Sequence, residues 1–150
     1  MDLFGSQAGG VAHLIQTAVA PVFLLSAVAG TLSVLTNRLA RIVDRAREIE
    51  ARLAGTVKPV DADELHERLR VMARRAHYIN VAITLSTIAA ILVALVVTLL
   101  FARTFFGAEF AGTIAALFVA SMMSLAGAFI AFLVEVRIAT ATLRIGARHL

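Results

Sequence analysis

Four histidines, ten carboxylates and a scatter of hydroxyls are the residues in this 150-residue chain that could do chemistry. There is no cysteine, which excludes a thiol nucleophile, a disulfide framework and a thiolate metal site. His66-Glu67-Arg68-Leu69-Arg70 opens like a zinc-protease helix, but that chemistry needs a second histidine one turn on, and Arg70 stands there. His13, His77 and His149 are too far apart in sequence to form a site with it. Gly9-Gly10 precedes an apolar run and lacks the spacing of a phosphate-cradling loop. No two carboxylates fall within one apolar run, as an intramembrane aspartyl protease requires. The residues therefore predict no catalytic site, no cofactor and no metal centre, and the chain is not expected to be an enzyme.

Polar stripes remain. Ser26, Gly30, Ser33 and Asn37 recur at intervals of 4, 3 and 4, and the same helix face continues to Arg41 and Asp44. Asn80, Thr84 and Thr87 share a second face, preceded by His77. Ala120, Ser124, Gly127, Ala131 and Glu135 share a third. In lipid, small and hydroxyl residues on one face allow close helix packing with hydrogen bonds across it; the alternative is the lining of a wet pathway. Glu135 adjoins the end of an apolar run, where an interfacial ion pair is expected. Its partner should come from another helix, Arg38 or Arg41, because Arg137 is only two residues away and faces elsewhere. The alternative for Glu135 is a carboxylate ring at the mouth of a cation pathway, one per subunit.

The elements that carry these stripes follow from the spacing of charge. The chain is 60% hydrophobic and 16% charged, and residues 3–37, 76–102 and 110–134 contain no Asp, Glu, Lys or Arg. Each run exceeds the ~20 apolar residues that cross about 30 Å of hydrocarbon. This predicts three transmembrane helices at about 11–36, 78–102 and 111–134, since three strands cannot close a barrel. The fold class is an all-α membrane protein, a single integral membrane domain over 1–150. The N-terminus lacks the basic region of a cleaved signal peptide, so the first run is expected to stay as a span. Pro21 should kink that span.

Of 14 basic residues, ten lie between Arg38 and Arg75, three follow the third run, and Arg103 alone lies between the second and third. The positive-inside rule then puts the 37–77 segment and the C-terminus in the cytoplasm and the N-terminus outside. Topology accounts for the basic pI, so nucleic acid is not an expected partner. Across 35–79, Leu35, Leu39, Ile42, Ala46, Ile49 and Leu53 recur at intervals of 4, 3, 4, 3 and 4, close to a 3.5-residue period, and Leu65, Leu69, Met72, Ala76 and Ile79 repeat the pattern. Such a period marks a helical hairpin or coiled-coil seam formed by extensions of helices one and two. Gly55 and Pro59 should end the first arm, and Asp61-x-x-Glu64 reads as a capping box opening the second.

Pro21-Val22-Phe23-Leu24-Leu25-Ser26, followed by Leu35-Thr36-Asn37-Arg38-Leu39-Ala40-Arg41-Ile42-Val43-Asp44-Arg45-Ala46-Arg47, resembles a family of small bacterial three-span membrane proteins classed as domain of unknown function 2721. The resemblance covers nearly the whole chain. It implies a fold and a bacterial inner-membrane location, and it brings no activity and no catalytic residues. Three spans leave one chain too little interior for an alternating-access site. The expectation is a homo-oligomeric scaffold or interaction protein acting through its charged hairpin, with the lipid bilayer, a cytoplasmic protein or anionic lipid headgroups as partners. The alternative is a small homo-oligomeric ion channel with polar stripes lining the pore.

Overall fold

A computed structural model describes residues 3–55, 59–106 and 111–146. Three α-helices account for nearly all of them: α1 (Leu3–Leu53), α2 (Pro59–Phe106) and α3 (Ala111–Gly146). No strand occurs among the described residues. All three helices are long and apolar enough to cross a membrane. At ~1.5 Å per residue α1 extends ~75 Å, more than twice the ~30 Å hydrocarbon thickness. The charge-free runs thus belong to helices that continue past them. No glycine or proline interrupts α1 after Pro21 until Gly55, apart from Gly30, so nothing in its sequence ends the helix at the first arginine.

The first arm ends where expected, while the start of α2 and the end of α3 differ. α2 begins at Pro59, ahead of the expected cap at Asp61. Proline lacks an N–H and has a fixed φ, and both suit the first position of a helix. α1 ends at Leu53, where the Ala54 amide donates to the Glu50 carbonyl at 3.0 Å and the Gly55 amide to the Arg52 carbonyl at 3.2 Å. Residues 56–58 lie outside the described residues. α3 continues well past the expected end of span three at Val134, because its last residues contain no helix breaker before Gly146. Pro21 is buried inside α1, which runs unbroken through it.

The chain divides into two compact units, Met1–Thr31 with Ser86–Leu125, and Leu32–Leu85 with Ala126–Leu150. In the first, the buried residues include Ala18 and Val28 of α1, Ser86, Ala89, Val93 and Val96 of α2, and Ser121 of α3. Most are small, which lets helix backbones approach closely in lipid. In the second, Leu35, Ile42, Ile79, Ala82 and Ala131 form one apolar cluster, with Leu39, Met72, Ala76 and Phe132 packed against it. Leu35, Leu39 and Ile42 of the first repeat and Met72, Ala76 and Ile79 of the second contribute to this core. Large apolar side chains also point outward, among them Phe23 at 72% exposure and Met123 at 69%. A soluble domain would expose few such side chains together; a helix set in hydrocarbon exposes them as a rule.

Candidate functional site

Three charged residues meet in the second unit, and each is placed there by its own helix. On α1, Arg38 lies three residues after Leu35 and four before Ile42. On α2, Arg75 stands in the same relation to Met72 and Ile79. On α3, Glu135 follows Ala131 by four. Residues at such spacings share a helix face, so the apolar cluster carries all three charges inward with it.

The Glu135 side chain is completely buried. Arg38 Nη2 donates to Glu135 Oε2 at 2.7 Å. Arg75 donates to Oε1 through Nε at 3.0 Å and through Nη2 at 2.9 Å. Both carboxylate oxygens are satisfied by charge-assisted hydrogen bonds, the stronger kind. The guanidiniums themselves keep 30% and 25% exposure. The Arg38 guanidinium also lies over the Phe132 ring, 5.2 Å from its centroid, a cation–π arrangement. An isolated buried carboxylate would be very costly; here its desolvation is offset by two cations that retain part of their water. The result is a clasp joining all three helices, with a net positive charge.

Arg75 is the member not expected from the sequence, where it enters only as one of ten basic residues that set topology. Its register between Met72 and Ile79 was the available signal. The expected pairing of Glu135 with Arg38 is present, and the Glu135 side chain is enclosed by protein. Arg41, the other expected partner, is exposed and has no carboxylate partner among the described residues. It lines a cleft of about 410 Å³ beside the clasp, together with Arg38, Ile42, Arg45, Met72 and Arg75.

The stripe residues separate into two groups. Ser26, Gly30, Ser33 and Asn37 of α1 are exposed, as are Asn80, Thr84 and Thr87 of α2. Ser26 Oγ donates to the Val22 carbonyl at 3.4 Å and Thr84 Oγ1 to the Asn80 carbonyl at 2.9 Å, bonds back to the preceding turn of the same helix. On α3 the stripe turns inward after the exposed Ala120: Ser124 is half-buried, and a Cβ added at Gly127 would come within 3.2 Å of Leu85 Cδ1. His66 Nδ1 donates to the Ala62 carbonyl at 2.7 Å, and His77 is exposed. The side chains of His13 and His149 lie outside the described residues. Among the described residues no three His, Asp or Glu side chains are grouped to hold a metal.

Three long apolar helices joined by an ion clasp define a polytopic integral membrane protein. A family model described as a protein of unknown function (DUF2721) matches residues 18–145, and the chain belongs to that family. No curated protein and no solved structure matches the chain.

Proposed function

We propose that the chain is a structural membrane protein that associates with copies of itself through the exposed polar stripes of α1 and α2. It sits in the bacterial inner membrane with its N-terminus outside and its C-terminus and 37–77 arms in the cytoplasm, and it catalyses no reaction. The arms carry the charged faces available to a cytoplasmic partner.

The exposure of the stripes is the observation that supports self-association. Ser26, Gly30 and Ser33 lie on the outer surface of one apolar helix, and a Cβ built at Gly30 meets nothing within 4 Å. A strip of small residues leaves a shallow groove that lipid tails fill poorly and a second helix fills well. The channel alternative needs Glu135 open to an axial path. Both of its oxygens are held by guanidiniums, which supports a structural role for this carboxylate.

Because the chain has no cysteine, single substitutions report cleanly. Oxidative crosslinking in native membranes should give dimers for Gly30→Cys and Ser33→Cys but none for Val28→Cys, which is 1% exposed. A monomer mass in lipid nanodiscs with no crosslink at any stripe position would overturn self-association. In intact cells an impermeant thiol reagent should label Gly107→Cys and spare Thr56→Cys; the opposite pattern reverses the orientation.

A further inference from the structure

We propose that the arginine cleft beside the clasp is a binding site for a phosphate group, carried by the headgroup of an anionic membrane lipid or by a soluble phosphate. The site uses the membrane reading of the chain but is independent of self-association.

Arg38, Arg41 and Arg45 project from α1 at intervals of 3 and 4, and Arg75 of α2 completes the wall. Ile42 and Met72 provide an apolar floor. Like charges one helical turn apart repel, so Arg41 and Arg45 share a face at a cost unless an anion lies between them. The carboxylates along the same helices do not neutralise them. Glu135 is wholly taken up by Arg38 and Arg75. Glu48, three residues after Arg45, is paired with Arg52 at 2.6 Å, and Glu64 with Arg68 at 2.6 Å. Asp44 is exposed and forms no ion pair with these arginines. Four guanidiniums thus line a cleft whose wall carries no carboxylate, and Glu135 behind it compensates one of them.

The clasp has a second effect here. By fixing Arg38 and Arg75 through part of their hydrogen-bonding edge, it holds two guanidiniums in place before any ligand arrives, which lowers the ordering cost of binding. Planar, forked guanidiniums match the oxygens of a phosphate. The volume of about 410 Å³ lies within the ~300–1,000 Å³ of small-molecule sites. Its position favours the lipid source. Arg38 is the first charged residue after the run 3–37, and Arg75 the last before the run 76–102. Both therefore fall where hydrocarbon gives way to headgroups, and basic pockets between helices at that level on the cytoplasmic side are suited to anionic lipid.

The test uses the full chain in nanodiscs of phosphatidylcholine doped with phosphatidylglycerol or cardiolipin, with retained lipid counted by native mass spectrometry. A parallel arm titrates inorganic phosphate and follows thermal unfolding. Arg41→Gln/Arg45→Gln leaves the clasp intact and should lower anionic-lipid retention at least tenfold. Arg70→Gln/Arg74→Gln removes the same charge from a separate exposed cleft on α2 that also contains Glu67 and should leave retention unchanged. Arg41→Lys/Arg45→Lys keeps the charge, loses the forks and should give an intermediate loss. Equal losses for the two Gln pairs would reduce the effect to general surface charge and overturn the site, as would no loss for either. Stabilisation by inorganic phosphate that matches the lipid effect identifies a soluble ligand; lipid retention without it identifies a headgroup. Because lipid is counted per chain, the result reads the same for a monomer or an oligomer.

Discussion

The unit of Met1–Thr31 and Ser86–Leu125 buries alanine, valine and serine, whereas that of Leu32–Leu85 and Ala126–Leu150 adds leucine and isoleucine to its buried alanines, around a fully enclosed glutamate. The first depends on close backbone approach and tolerates a buried hydroxyl, Ser86 Oγ, that has no hydrogen-bond partner among the described residues. The second relies on bulky seams and on a charge cluster that is satisfied only when three helices are in register. Small-residue packing works where the surroundings are already apolar and burial adds little driving force. Large apolar side chains gain most where water would otherwise reach them.

Four substitutions break or sharpen this contrast, each read as unfolding of the purified chain in detergent micelles. Leu35→Asp should have the largest effect. It places an unpaired charge at a 1% exposed position in the apolar cluster and is expected to cost more than about 4 kcal/mol, leaving no folded second unit. Glu135→Gln comes next. Losing one member of a buried pair typically costs ~3–5 kcal/mol, and the part-exposed arginines lower the expectation here to about 2–3. A loss under about 1 kcal/mol would return Glu135 to an ordinary surface pair.

Ser86→Ala should act in the opposite direction. It removes a buried hydroxyl without a partner and should stabilise the first unit by about 1 kcal/mol; a comparable loss would mean that the hydroxyl has a partner in solution. Arg47→Ala is the smallest. The residue is exposed and forms no ion pair among the described residues, so its effect should stay within about 0.5 kcal/mol.

Much of the helical architecture was legible in the residues themselves. Three runs without charge located three helices, and the 3.5-residue period of Leu35, Leu39 and Ile42 identified the face that packs. Arg38 could be proposed for Glu135 because both close a charge-free run. Arg75 could not be singled out, since ten basic residues crowd that segment and composition gives each the same weight; only register against Met72 and Ile79 distinguishes it. The stripes were visible as periodicities, but whether a polar face turns toward its own chain depends on how the helices roll. α1 and α2 turn theirs outward and α3 turns its own inward, a choice made by packing on the opposite faces. α3 runs on past its charge-free run because the end of hydrophobicity and the end of a helix have different physical causes.

The clasp also has a direction in time. Ribosomes deliver this chain from α1 to α3, so Arg38 and Arg75 are both made before the carboxylate that they share. Until Glu135 arrives, α1 and α2 present like charges to one another at the same level, and their union is opposed by repulsion just where their apolar faces invite it. The third helix supplies the missing countercharge and relieves that conflict.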